Sequence, residues 1–241
     1  MKYRSDHIPE QYDFERIYTG AEPKPQPKPW DIGRPQPALV AAHDAGHLTG
    51  DVLDVGCGLG DNAVFLASRG HRVTAVDIAE TAVREARQRA AAASVAVDFV
   101  VADATRLEGY TGRFDTIVDS ACYHSLAADR REPYIAALHR AARPGAVLHL
   151  FAFAAEFEAP FPGPHRHTAD SLREVVGGRW KVRSVEPATY SSSLGPADVR
   201  AVIESEYPDD EAIEESLARL ALDDQGKATM PVWHLRAERP D

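Results

Sequence analysis

The sequence predicts a doubly wound α/β domain on a mostly parallel sheet, and three observations carry that expectation. Short, near-continuous apolar runs alternate with segments of helical length. A glycine-rich turn joins the first run to the helix that follows it. Acidic residues recur just past successive runs. Apolar strands without polar alternation need cover on both faces, which crossover helices provide in parallel sheets.

The elements follow in order. Residues 1–34 form an N-terminal arm. In it, Pro9 and Glu10 open a short helix through Ile17. The alternating prolines of AEPKPQPKPW (Pro23, Pro25, Pro27, Pro29) fix φ and remove donors, so this piece is expected near polyproline II. Trp30 at its end needs a surface to bury against. The main domain, 35–241, begins with a helix in PQPALVAAHDAG, proline at its start and Gly46 near its end. Asp51–Val55 is the first strand and Asp61–Ser68 a helix. His71–Val76 is the second strand and Ala79–Ala92 a long alanine-rich helix. Val95–Val101 and Phe114–Asp119 are the third and fourth strands. Arg130–Arg143 is a helix stopped by Pro144-Gly145, and Ala146–Phe153 the fifth strand. Then Thr168 caps a helix from Ala169 to Val176, and Trp180–Glu186 is the sixth strand. Pro196–Leu222 reads as an acidic helical insert, two helices split around Tyr207-Pro208-Asp209, and Pro231–Glu238 is the last strand. Between Gly195 and Gly226 ten acids face two arginines, the pattern of solvated helix faces or of a lid or oligomer contact.

Composition narrows the function. Hydrophobic residues make up 44% and charged residues 27% of the 241, a globular balance. No apolar run reaches the roughly 18 residues of a membrane span, and the polar N-terminus has no secretory pattern. Two cysteines do not make a disulfide scaffold, so a cytoplasmic protein is expected. A net charge of −10 repels phosphate backbones and argues against nucleic acid as partner. The abundance of arginine over lysine, with much alanine, hints at a GC-rich bacterial source. A monomer or homodimer is expected.

The segment 52–83 decides the cofactor. A buried strand delivers Asp54, and Gly56, Gly58 and Gly60 lead into a helix. The dinucleotide spacing G-x-G-x-x-G fails, because Asp61 stands three residues after Gly58. An acid there repels a pyrophosphate and suits a cofactor carrying a sulfonium and an amino group. Asp77, ending the second strand, can accept two hydrogen bonds from a ribose diol, and Asp103 after the third can reach an adenine amino group beside Ala104. Together these motifs resemble class I S-adenosylmethionine-dependent methyltransferases. The resemblance implies S-adenosylmethionine as cofactor and a seven-stranded sheet of order 3-2-1-4-5-7-6 with strand seven antiparallel. It places the methionine end of the cofactor on Asp54, Gly56, Cys57 and Gly58, the ribose on Asp77, and the adenine on Ile78, Asp103 and Ala104. Pro29-Trp30-Asp31-Ile32-Gly33-Arg34-Pro35 is similar to a segment of thiol/halide, thiopurine and related small-molecule methyltransferases. There it implies an arm folded over the cofactor, with Trp30 beside it and Gly33 allowing close approach.

On the acceptor side, Asp119 to Leu126 is expected to line the meeting point of donor and acceptor. His124 is the candidate general base or acceptor-orienting group, with a histidine packed in its loop as the plainer alternative. Asp119 either orients His124 or holds the cofactor's ammonium. Cys122 and Tyr123 form pocket wall. His165 and His167, in the loop after the fifth strand, are candidate substrate contacts; two ligands without a third make a poor metal site, so none is expected. The function read from the sequence is methyl transfer to sulfur, oxygen or nitrogen of a small thiol or aromatic molecule, or alternatively a non-catalytic cofactor-binding or partner-binding module.

Overall fold

A computed structural model describes residues 13–21, 28–155, 165–206 and 213–241. Its centre is one seven-stranded sheet of order β3-β2-β1-β4-β5-β7-β6. The strands are β1 Asp51–Val55, β2 Arg72–Asp77, β3 Asp98–Val101, β4 Phe114–Ser120, β5 Ala142–Phe153, β6 Lys181–Ser191 and β7 Thr229–Glu238. β1 to β5 run parallel, and β7 lies antiparallel between β5 and β6. The helices are α1 Phe14–Thr19, α2 Pro37–Asp44, α3 Asp61–Ser68, α4 Glu80–Ala92, α5 Ala128–Ala141, α6 Ala169–Gly177, α7 Pro196–Glu206 and α8 Ile213–Ala218. Two apolar layers sandwich the sheet. One gathers Leu39, Phe65, Leu66, Phe151, Tyr190 and Ile203; the other gathers Leu53, Ile117, Tyr134, Leu138, Leu172 and Trp180. The doubly wound architecture and strand order match the expectation.

Boundaries differ where local rules meet tertiary context. β6 runs five residues past the expected Glu186, straight through Pro187. It is an edge strand, and an edge tolerates the donor that proline lacks. β7 starts at Thr229 rather than Pro231; Pro231 pairs with Thr189 of β6, beyond the β5 pairing that begins at Val232. β3 is shorter than expected, because Val95 to Val97 run outside the ladder. α5 ends at Ala141, not Arg143, and Pro144-Gly145 sits within β5 where the β4 register slips between Phe114 and Thr116. α1 begins at Phe14; the expected start at Pro9 and most of the proline run lie outside the described residues, as does Tyr207-Pro208-Asp209.

Candidate functional site: a cofactor crevice and an imidazole cluster

The glycine turn hangs from β2. Gly56 N and Cys57 N both donate to Val76 O (2.8 and 3.0 Å), and Gly58 N donates to Asp77 Oδ2 (2.8 Å). Asp77 Oδ1 accepts from Ala79 N at 2.9 Å, so each of its oxygens holds one backbone amide and keeps a second lone pair. Burial pushes the Asp77 carboxyl up, and the amides of Ala79, Gly58 and Ile78 pull against that shift. Ile78, the next residue, is 51% exposed, unusual for an isoleucine ending a buried strand. Ala102 N donates to Asp77 O, which brings the end of β3 alongside. Asp103 there accepts from Thr105 N, Thr105 Oγ1 and Arg130 Nη2 (2.9, 2.8 and 2.7 Å), contacts that hold its carboxyl below the usual range against burial. Ala104 packs beside it against the α5 side of the core.

Asp54 lies under this turn, 1% exposed, and among the described residues neither carboxylate oxygen has a partner at hydrogen-bond distance, the Ala63 amide lying nearby. Burial, then the charges of Asp119 and Asp77, push its pKa up to about 7, with the Ala63 amide the only opposing influence. An unpaired buried carboxylate is costly, and a cation lodged above the turn relieves it.

The arm closes one side of the turn. A Cβ at Gly58 (φ +52°) would stand 2.9 Å from Tyr18 Oη and 3.9 Å from Trp30 Cδ1, so the loop backbone and the arm meet at a position only glycine fits. Trp30 Nε1 donates to Tyr18 Oη at 2.9 Å, and the two rings meet edge to face at 6.1 Å. Glu15 caps α4 by accepting from Thr81 N and Thr81 Oγ1 (3.0 and 2.6 Å). Arg89 bridges Asp31 of the arm (2.8 Å) and Asp61 of α3 (2.9 Å). Asp61 therefore faces an arginine, which revises the reading of its acid as a direct complement to the cofactor. Farther along, Ser193 N donates to Pro29 O, Gln36 exchanges hydrogen bonds with the Ser191 backbone, and Arg34 pairs with Asp223. Gly33 has φ +65° with no atom within 4 Å of a built Cβ, so the turn, rather than close approach by the protein, calls for glycine there.

Past β4 the chain turns tightly, with Ala121 in the left-handed region at φ +77°. Asp119, wholly buried, holds that turn: it accepts from Cys122 N (2.8 Å), Tyr123 N (3.1 Å) and Tyr134 Oη (2.7 Å). Burial raises its pKa to about 6 against those three donors. The expectation that Asp119 orients His124 is thus corrected: its carboxylate is bonded to the turn. Cys122 packs on Gly56, where a Cβ would come within 2.7 Å of its own, and burial pushes the thiols of Cys57 and Cys122 well up, which keeps both un-ionised.

His124 is buried and lies flat on Phe153, ring centres 4.2 Å apart. Phe153 N donates to His124 Nδ1 at 3.3 Å, and His124 O accepts from His165 N at 3.0 Å. Burial and the nearby imidazoles of His167 and His165 lower its pKa to about 3. His167 packs 4.8 Å from the Tyr123 ring, and burial takes its own pKa to about 4. His165 Nε2 and His167 Nε2 are buried without a hydrogen-bond partner among the described residues. The structure thus brings Tyr123, His124, His165 and His167 together. The rest of the expected loop, 156–164, lies outside the described residues.

Sequence reasoning missed Tyr18, Glu15, Arg89 and Tyr134. Only Tyr18 left a trace, the i, i+4 aromatic pair it makes with Phe14 ahead of Trp30.

A glycine turn over an unpaired buried acid, with Asp77 ending β2 and Asp103 just past β3, defines the class I S-adenosylmethionine-dependent methyltransferase site. The residues fit that cofactor: the Asp54 carboxylate lacks a counter-charge and the Gly58 cradle admits no side chain. Residues 52–145 match a family described as a methyltransferase domain. The chain is 36% identical over 231 residues to the 2-heptyl-1-hydroxyquinolin-4(1H)-one methyltransferase of Mycobacteroides abscessus, covering 94% of this chain and 96% of that one. A solved structure from work on conversion of a disulfide bond into a thioacetal group during echinomycin biosynthesis superposes with TM-score 0.76 at 33% identity, over 94% and 91% of the two chains. The Burkholderia thailandensis 1,6-didemethyltoxoflavin-N1-methyltransferase shares the fold (TM-score 0.61, 20% identity, 95% and 85% covered). The chain belongs to the class I S-adenosylmethionine-dependent methyltransferases; it is an enzyme of that family, and S-adenosylmethionine is its cofactor. Among the described residues, no helix is long and apolar enough to cross a membrane.

Proposed function

We propose that this enzyme methylates an oxygen, sulfur or nitrogen atom of a small aromatic or heterocyclic compound or thiol. The observation that carries the reading is the cluster of aromatic and imidazole rings next to the glycine turn. Cys122 touches Gly56, and two residues on His124 stacks on Phe153, with Tyr123 and His167 adjoining. Flat, mostly uncharged rings beside the cofactor turn suit a planar acceptor. The near-full-length likeness to a hydroxyquinolone methyltransferase supports the same class. In this reading Asp54 and the Gly56–Gly58 turn hold the methionine end of the cofactor, and Asp77 offers its two remaining lone pairs to the ribose. Ile78, Asp103 and Ala104 take the adenine, and Trp30 with Tyr18 covers the crevice. The bound sulfonium supplies a methyl group already activated for in-line displacement. The protein's part is alignment and exclusion of water.

The test is S-adenosylhomocysteine formation with a panel of hydroxyquinolones, phenols, thiols and heterocyclic amines. Turnover with at least one planar acceptor is expected. Tight cofactor binding without turnover on any member would refute the proposal.

A further inference from the structure

We propose that Arg130 is a positioning residue for the cofactor: together with Thr105 it leaves the Asp103 carboxylate a single lone pair for the adenine amino group, and so sets the choice of adenine over hypoxanthine. The proposal rests on the adenine placement given above and deepens that same site.

An ionised carboxylate has about four lone-pair positions, two on each oxygen. Thr105 N and Thr105 Oγ1 both donate to Asp103 Oδ1, at 2.9 and 2.8 Å, and fill that oxygen. Arg130 Nη2 donates to Oδ2 at 2.7 Å, a charge-assisted contact. Among the described residues these donors leave one position, on Oδ2. The Asp103 side chain is 33% exposed, so a ligand can reach it. Burial opposes ionisation of Asp103, yet Thr105 and Arg130 hold its carboxyl below the usual range, so it meets a ligand as an acceptor.

The two holders of the carboxylate do different things. Thr105 lies two residues from Asp103 and moves with the same loop. Arg130 comes from α5, 27 residues on, and that helix is anchored in the core by the buried Tyr134, Ile135 and Leu138. Arg130 stands in the first turn of α5, the end where the helix dipole disfavours a cation, and its partner lies off the helix. It also donates to Thr105 Oγ1 at 3.2 Å, which ties the two holders to each other. The direction of the open Oδ2 position is therefore set from the core rather than by the loop alone.

That direction matters to a purine. Ala102 N donates to Asp77 O at 2.9 Å and sets the loop after β3 beside Ile78, whose exposed side chain is an apolar rest for a base. An adenine lying there turns one amino N–H toward the one open position. Hypoxanthine carries a carbonyl oxygen at the same place, so two acceptors face each other. Without Arg130, Oδ2 has a second open position and the loop loses its tie to α5. A shifted hypoxanthine can then donate its ring N–H instead, and the preference narrows.

The experiment is calorimetric titration of the full chain with S-adenosylhomocysteine and with S-inosylhomocysteine, its hypoxanthine counterpart. Wild type is expected to prefer the adenine ligand about tenfold to a hundredfold, as for loss of a hydrogen bond to a charged group. Arg130→Met, similar in reach and uncharged, is expected to cut that ratio about fivefold, chiefly by weakening the adenine ligand. Arg130→Lys, which keeps a cationic donor, restores most of the ratio. Thr105→Val, which frees one position on Oδ1, narrows it in the same sense and decides the matter if Arg130→Met does not fold. A merely structural ion pair would lower both affinities alike. A ratio unchanged in the folded variants overturns the proposal and leaves the adenine placement standing. Wild-type protein that binds the two ligands equally overturns that placement, and this proposal with it.

Discussion

Replacing Asp54 by Asn tests the electrostatics of the cofactor crevice most directly. In the free protein Asp54 has no hydrogen-bond partner and a pKa of about 7. A cation bound above the glycine turn favours the ionised form, so binding expels a proton. The carboxyl is about one-tenth ionised at pH 6 and about nine-tenths at pH 8. Cofactor affinity is therefore expected to rise about tenfold between pH 6 and pH 8, roughly 1.4 kcal/mol, and to level off above that. Asp54→Asn removes both the charge and its titration. Affinity at pH 8 is expected to fall about tenfold to a hundredfold, as for loss of a charged partner, and the pH dependence should flatten. The sign for stability is opposite. A carboxyl whose folded pKa is raised costs stability increasingly as pH rises from its unfolded value of 3.8 to about 7, and the full cost applies above that. The free variant should therefore melt no lower than wild type at pH 8 while binding cofactor more weakly. Isothermal titration in buffers of different ionisation enthalpy reads the expelled proton directly. Wild-type affinity that stays flat from pH 6 to 8, or a variant that binds as wild type does, would show that Asp54 does not feel the cofactor's charge.

Other outcomes follow from the same structure. His124 and His149 titrate at about 3, and His167 and His234 at about 4, all lowered chiefly by burial. Their stabilising neutral form is undermined as pH falls below 6.5, where the unfolded chain takes up protons they refuse; Asp54 and Asp119 act in the opposite sense. Four imidazoles against two carboxyls give a net loss of roughly 2–3 kcal/mol per pH unit between pH 6 and 5, readable from denaturant midpoints; a midpoint unchanged across that interval contradicts the burial of these rings. Trp30→Ala removes the arm's contact with Tyr18 and is expected to weaken cofactor binding about tenfold and to speed proteolysis of the arm; equal cleavage rates would separate the arm from the crevice. Gly58→Ala forces a side chain against Tyr18 Oη at positive φ and should reduce cofactor affinity at least tenfold, measured by the same titration.

Much of this was legible in the chain because it is local. The run from Asp51 to Val55, the glycines after it and Asp77 at the end of β2 each follow from residues within a few places of one another. Where the ends of β6 and β5 fell was not, since Pro187 reads as a stop until the strand is known to be an edge, and Pro144-Gly145 as a terminator until β4 lies beside it. The chemistry of single side chains was the hardest to foresee. Nothing near Asp119 announces that Tyr134, fifteen residues on, takes one of its oxygens, and nothing near His124 announces the Phe153 amide on Nδ1. Those contacts make Asp119 a turn anchor and occupy one nitrogen of His124. Glu15 capping α4 across 66 residues is likewise a product of docking, which no local pattern encodes.

The fastening of the arm has a consequence for synthesis. Residues 29 to 36 leave the ribosome well before Ser191, Ser193 and Asp223, to which they are tied. Chains emerge from the N-terminus onward, so the glycine turn and its acids can assemble long before the arm beside them has anything to grip. A nascent chain halted before the end of β6 would carry a sheet lacking β7 and an arm without the Ser191, Ser193 and Asp223 contacts that fasten it. Docking of the arm should therefore come late, once the residues around Ser191 and Asp223 have emerged.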